Sequence, residues 1–167
     1  ADIRGRVLEV KEPIYAKRFG TQVERCDVLD VDAGNPQGTV VADLAEGSGL
    51  PPDCFTCFIL TQTLQYIYRV DAAVRQAQRV LRPGGVLLAT VPAVSRLAYA
   101  PEAAPDYWRF TAAACSRLFG EVFGANHVTV GAHGNVLTCI AFLTGMAREE
   151  LKPRELEKDD PLFPLIV

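Results

Sequence analysis

The sequence predicts an α/β domain built on a mostly parallel sheet, and two observations carry that prediction. Short β-branched and apolar runs alternate along the chain with stretches of helical periodicity. One run, Phe55-Thr56-Cys57-Phe58-Ile59-Leu60, is almost wholly apolar, as a strand covered by helices on both faces should be. Length agrees with a single domain over residues 1–167, since a chain of 167 residues buries about 70% of the surface its unfolded form exposes.

The elements follow in order. Arg6 to Val10 reads as a first buried strand, Val23 to Leu29 as a second, Gly38 to Ala42 as a third and Phe55 to Leu60 as a fourth. From Val70 to Leu81 the apolar residues Val70, Ala73, Val74, Ala77, Val80 and Leu81 recur at helical spacing, with Arg75, Gln78 and Arg79 between them. Arg82-Pro83-Gly84-Gly85 stops that helix, because proline cannot continue it and glycine permits the turn. Val86 to Val91 is the fifth strand, and Thr111 is a plausible N-cap for a helix reaching Phe123. Val128 to Val130 is expected as a sixth strand, Val136 to Glu150 as a helix with a polar end, and Pro161 to Val167 as a last strand. Residues 93–110 form the one long irregular stretch, and such loops in compact domains are usually functional or disordered.

Composition excludes several classes. Apolar residues make up 49% and the net charge is −3, too apolar and too nearly neutral for a disordered chain, and without the basic excess of a nucleic-acid binder. No apolar run approaches the roughly 20 residues that span a bilayer, and no signal-peptide pattern opens the chain, so no membrane association is expected. Cys54-x-x-Cys57 supplies two ligands where structural zinc takes four, and no metal site is expected. Free cysteines in apolar contexts point instead to a reducing compartment, the cytoplasm.

In a parallel sheet, ligands bind beyond the carboxyl ends of the strands. The polar residues there are Glu9 after the first strand, Asp27 and Asp30 around the end of the second, Asp43 after the third, and Thr61, Gln62 and Thr63 after the fourth. An acid about 20 residues beyond the first strand can accept from ribose hydroxyls. Asp27, 18 residues beyond Glu9, has that spacing, and Asp30 is a near substitute. An acid after the third strand can accept from the exocyclic amine of adenine, so the set suits an adenosine-containing ligand. Strand-end acids that merely cap solvated turns are the competing explanation.

Val7-Leu8-Glu9-Val10, Val41-Ala42-Asp43-Leu44, the run from Phe55 to Ile67 and Arg79-Val80-Leu81-Arg82-Pro83-Gly84-Gly85-Val86-Leu87-Leu88 resemble successive motifs of class I S-adenosylmethionine-dependent methyltransferases of the type 11 group. Asp106-Tyr107-Trp108-Arg109-Phe110-Thr111 is similar to a segment of bacterial relatives associated with glycan or secondary-metabolite modification. The resemblance covers roughly residues 5–143. It implies a Rossmann-like three-layer sandwich with a mostly parallel seven-stranded sheet and an antiparallel last strand. It implies S-adenosylmethionine as cofactor and S-adenosylhomocysteine as product. By the same resemblance Glu9 orients the cofactor's amino-acid end, Asp27 takes the ribose, Asp43 with Leu44 contacts adenine, and the Thr61–Leu64 segment, including Gln62, passes beneath the methionine part.

The chain departs from that family in four places. The family's first loop carries alternate glycines that let backbone approach the cofactor; here it reads Lys11-Glu12-Pro13-Ile14-Tyr15, where Lys11 can pair with the cofactor carboxylate. Thr56 replaces the usual acid of the fourth strand, and residues 30–38 leave no room for a helix. The first strand begins within six residues of the start, so either the natural protein is longer or the site is open.

For a hydroxyl acceptor, methyl transfer needs alignment and a base. His133 and Asp106 are the candidate bases; His127, before the sixth strand, is expected to be structural. Tyr107, Trp108 and Arg109 offer flat faces for a sugar or ring, or anchor their own loop. No Gly-x-Gly-x-x-Gly follows the first strand, which argues against a nicotinamide enzyme. The expectation is methylation of a small molecule or sugar at oxygen; the alternative is a non-catalytic module on the same fold that has lost cofactor affinity.

Overall fold

A computed structural model describes residues 3–97 and 105–167. The chain divides into two compact units, residues 1–89 and 90–167. Among the described residues no helix is long and apolar enough to cross a membrane.

The first unit is a five-stranded sheet with β1 (Gly5–Val10), β2 (Val23–Asp30), β3 (Val40–Val41), β4 (Phe55–Thr61) and β5 (Leu81–Thr90) in the spatial order β3-β2-β1-β4-β5. The pairs β1/β2, β1/β4 and β2/β3 are parallel. Val7, Leu8, Phe55, Cys57, Phe58 and Leu60 lose all contact with solvent, which explains why the β1 and β4 sequences are apolar at consecutive positions. Each such side chain contributes roughly 1.5–3 kcal/mol by leaving water.

Helix α1 (Ile14–Phe19) links β1 to β2, and α2 (Val70–Val80) precedes β5. In α2 the residues Ala73, Val74, Ala77 and Val80 are fully buried, at the periodicity the sequence predicts. Arg79 fastens the helix to the β3–β4 connection by donating to the carbonyls of Gly47 and Leu50. The Arg82-Pro83-Gly84-Gly85 run, expected as a turn ahead of the strand, lies within β5: Gly84 has φ +77°, and a Cβ at Gly85 would lie 3.0 Å from the Phe55 carbonyl oxygen. That close approach is why glycine stands there.

The second unit contains α3 (Ala112–Phe123), α4 (Val136–Thr144) and the single-turn α5 (Pro153–Leu156). Thr111 caps α3 by accepting from the Ala114 amide, as its position predicts. Three expectations are corrected. The sheet has five strands among the described residues, because Val128–Val130 finds no partner strand and residues 161–167 form only isolated antiparallel bridges, from Ile166 to Pro92 and to His133. Helix α4 ends at Thr144, where Gly145 takes a left-handed conformation at φ +78°, well short of Glu150. Helix α1 is present where no helix is predicted. Of the irregular stretch at 93–110, residues 98–104 lie outside the described residues.

Candidate functional site

The chain runs from β1 outward to β2 and β3, then returns to β4 on the other side of β1. The reversal between β1 and β4 is the topological switch point, where a parallel sheet opens a crevice at its carboxyl edge. Two non-glycine residues with left-handed backbone stand at that edge: Lys11 at φ +67°, just after β1, and Gln62 at φ +47°, just after β4. Such conformations cost about 1–3 kcal/mol each and collect at functional sites.

Glu9 is 1% exposed, and its carboxylate is turned into the protein rather than toward an open edge. Its two oxygens accept from the amides of Tyr15, at 2.7 Å, and Ala16, at 2.9 Å. These charge-assisted bonds satisfy the first turn of α1, whose N-cap, Pro13, offers no side-chain cap. Glu9 therefore positions the loop that follows β1. The other amides of that loop are committed too: Lys11 donates to Leu29, Glu12 to Val10 and Ile14 to Glu12. Pro13 has no amide hydrogen. No backbone donor from Lys11 to Ala16 remains to cradle an anion, and a phosphate grip of the kind helix N-termini provide is excluded here.

Asp30 is the last residue of β2 and is nearly buried. Burial by itself would raise its pKa, but the Asp32 amide, the Asn35 side-chain amide and the Lys11 ammonium hold it below the usual carboxylate range. The Asn35 Nδ2 donates to Asp30 Oδ2 at 2.7 Å and to the Lys11 carbonyl at 2.8 Å, so one side chain clamps the β1 loop to the end of β2. Lys11 Nζ sits 3.3 Å from Asp30 Oδ1, while most of the lysine side chain remains in solvent.

Asp27 occupies a different place. It lies within β2, opposite Leu8 of β1, and its oxygens are taken by Arg6 Nε at 2.9 Å and by Arg25 at 2.7 and 2.9 Å. Thr39 Oγ1 adds a longer bond. Burial opposes the charge, and the two guanidinium groups outweigh it and lower the Asp27 pKa. The acid at the strand end is Asp30, whereas Asp27, for which the ribose role was expected, stands inside the strand in an ion pair with Arg6 and Arg25.

Asp43, two residues beyond β3, is exposed, with Oδ1 accepting from the Ala45 amide at 2.7 Å; its neighbour Leu44 is buried. Beyond β4, Thr61 is half-buried and Gln62 is exposed. Gln65, just beyond β4 and with Tyr66 a candidate hydrogen-bonding group for the acceptor, is buried, and its Nε2 donates to the Gln62 carbonyl at 2.9 Å. That bond fixes the amide's orientation and leaves Oε1 buried with no hydrogen-bond partner. A buried oxygen of this kind normally finds a water or ligand donor.

In the second unit, Asp106 does not stand as a free base. Arg109 engages both of its oxygens, Nη1 at 2.6 Å and Nη2 at 2.9 Å, a fork geometry that stabilises the ionised acid. Arg109 also donates to the Trp108 and Arg96 carbonyls, which ties this segment together, and Tyr107 and Trp108 are exposed. His133 is exposed and its Nδ1 lies 2.9 Å from Asp159 Oδ2. The Gly134 amide, first, and His133 lower the Asp159 pKa. His127 Nδ1 contacts the Phe123 carbonyl at 3.1 Å, a local bond near the end of α3. Val94, Phe110, Leu162 and Phe163 help line a cleft of 420 Å³ whose walls carry no charged side chain.

Three of the cysteines, Cys26, Cys115 and Cys139, have their thiol pKa raised by burial. Burial first, then the charges of Glu9 and Asp27, push the Cys26 thiol up to about 11, and burial does the same to Cys115. Among the described residues, no group of three or more His, Cys, Asp and Glu side chains is placed to hold a metal ion.

Residues 16–89 match the family model for a methyltransferase domain. No curated protein sequence matches the chain. Among solved structures, an S-adenosylmethionine-dependent methyltransferase from Mesorhizobium loti superposes with a TM-score of 0.59 at 14% identity, over 99% of this chain and 90% of that one. The Haloferax volcanii protein solved with the Trm112 methyltransferase activator gives 0.56 at 17% identity, over 70% of this chain and 59% of that one. The Haemonchus contortus phosphoethanolamine N-methyltransferase 2, bound to phosphomonomethylethanolamine and S-adenosylhomocysteine, gives 0.54 at 17%, over 71% of this chain and 33% of that one. The chain thus spans less than two thirds of the length of several structures it matches. The family match thus covers less than half of the chain, and the solved structures show that the fold is shared.

Proposed function

We propose that the chain binds S-adenosylmethionine along the carboxyl edge of β3, β2 and β1 and directs its methyl group to a hydroxyl of a small molecule or sugar. The observation that carries this reading is the order of polar groups along the edge: Asp43 beyond β3, Asp30 at the end of β2, Lys11 beyond β1. That order matches an adenosine ligand laid across the strands. An acceptor for the adenine amine comes first, an acceptor for the ribose hydroxyls second, and a cation for the anionic end third. The donor set fits the cofactor, and the left-handed turn at Lys11 keeps a backbone conformation that glycine usually provides. When bound, the cofactor supplies a methyl group on a sulfonium, whose in-line displacement needs no acid.

Asp30 would accept from the ribose hydroxyls, Asp43 from adenine, and buried Leu44 would give the ring an apolar neighbour. Glu9 holds the loop after β1 in place through α1. Thr61 and Gln62 border the switch point on the β4 side. His133 is the proposed base: with Nδ1 donating to Asp159, Nε2 is the basic nitrogen that takes the hydroxyl proton. The proposed setting is a bacterial cytoplasm, in keeping with the free cysteines.

A second reading is favoured by one observation, the complete internal use of the amides from Lys11 to Ala16. On that reading the chain is a non-catalytic module of the same fold. Titration calorimetry with S-adenosylhomocysteine separates them. The catalytic reading expects micromolar binding, about −8 kcal/mol, weakened by about 1–3 kcal/mol in Asp43→Ala. Absence of binding at millimolar ligand would leave the non-catalytic reading.

A further inference from the structure

We infer that Lys11 is a specificity residue that selects ligands with an anionic group on the 5′ side of the ribose, and that it leaves Asp30 in doing so. The inference rests on the adenosine orientation proposed above and adds what the structure says about the third position. With ribose at the end of β2 and adenine toward β3, the strand order sends the 5′ substituent toward β1. There the backbone offers nothing to an anion, since every amide hydrogen from Lys11 to Ala16 is already donated inside the protein. The Lys11 ammonium is the positive group that this loop brings to the edge.

Its geometry suits an exchange. The base of the side chain is fixed, because the Lys11 amide donates to Leu29 and its carbonyl accepts from Asn35. The end is not fixed: at 67% side-chain exposure the ammonium rests 3.3 Å from an Asp30 carboxylate that also has Asn35 and the Asp32 amide as partners. Asp30 therefore stays hydrogen-bonded when Lys11 departs. A ribose hydroxyl can take the vacated site on Asp30 while the ammonium pairs with the ligand carboxylate. Asp30 gives up its cation in this exchange, and its charge is then held by the Asp32 amide, the Asn35 side chain and the ribose hydroxyl.

The test compares S-adenosylhomocysteine with 5′-methylthioadenosine, which keeps the adenosine and thioether and lacks the amino-acid carboxylate, by calorimetry on the whole chain. The native protein is expected to prefer S-adenosylhomocysteine about tenfold, the scale of one charge-assisted hydrogen bond. Lys11→Met should abolish that preference while 5′-methylthioadenosine binds as well or better, because Asp30 no longer shares its oxygen. Lys11→Arg should keep the preference, and thermal melts of both variants report whether the loop is intact. A preference that survives in Lys11→Met, or equal weakening of both ligands, overturns the inference. Equal binding of both ligands to the native chain overturns it too and leaves the adenosine site standing. No binding of either removes the underlying reading as well. If adenosine 5′-monophosphate binds more tightly than S-adenosylhomocysteine, and only while Lys11 is present, Lys11 selects a phosphate and the methyl-donor reading falls.

Discussion

The body of β2 and its carboxyl end each carry a nearly buried aspartate, and the two are used differently. Asp27, inside the strand, is gripped by Arg6 and Arg25 and has no open approach. Asp30, three residues later, is held by an amide, an asparagine and a mostly exposed lysine. Two cations that reach in from neighbouring positions make a structural ion cluster. A single, mostly exposed cation leaves Asp30 the more accessible of the two acids for the proposed ligand. Burial and lowered pKa are common to both, so neither property by itself marks function.

The largest expected effect breaks the comparison on the structural side. Asp27→Asn removes the charge between two guanidinium groups and should cost about 2–3 kcal/mol of stability, below the value for a fully buried pair because both arginines reach solvent. Its affinity for S-adenosylhomocysteine, measured below the melting transition, should stay that of the native chain. Asp30→Asn should do the opposite, with a stability loss of about 1 kcal/mol and a loss of about tenfold or more in affinity. Chemical denaturation paired with calorimetry checks both; equal loss of affinity in the two variants would erase the distinction.

Acid titration sharpens the same contrast. Both aspartates have folded-state pKa values below their unfolded ones, so the unfolded chain binds more protons in the window between. Their contributions are fully present above the ordinary carboxylate value near 4 and are lost as pH falls through the depressed folded values. Melting temperatures recorded from pH 6 downward should therefore fall steeply below about pH 4 in the native chain. Each asparagine variant should flatten that fall.

Counting residues from Glu9 picks out Asp27, yet register decides which acid reaches the edge. Leu8 pairs with Asp27 and Val10 with Leu29, so β1 is exhausted only where Asp30 begins. A parallel register depends on the packing of two strands and is not written in either one. The same holds for α1, whose first turn is satisfied by Glu9 from the preceding strand, a contact that local propensity does not contain. By contrast β1, β4, α2 and the Thr111 cap were legible, because burial pattern and capping chemistry act over a few residues. Val128–Val130 carries strand-forming residues without a neighbouring strand among the described residues, and a strand needs one. The end of α4 was available from Gly145, a left-handed stop in the middle of an otherwise continuous pattern.

The smallest expected effect lies within the Asp27 cluster itself. Arg25 donates twice to Asp27 but has 64% of its side chain in solvent, whereas Arg6, at 37%, donates once and also lies over the Phe55 ring at 4.9 Å. Bond counting ranks Arg25 as the stronger partner. Solvent exposure and the aromatic contact rank Arg6 first, since an exposed ion pair is worth about 0–1 kcal/mol and a desolvated cation–π contact adds about 1 kcal/mol or more. Arg25→Met should therefore cost about 0.5 kcal/mol and Arg6→Met two to three times as much, with the Arg25 effect fading in high salt. If Arg25→Met proves the costlier change, hydrogen-bond number rather than desolvation sets the strength of this cluster. The comparison of Asp27 with Asp30 would then rest on how many donors each acid holds, not on where along the strand it stands.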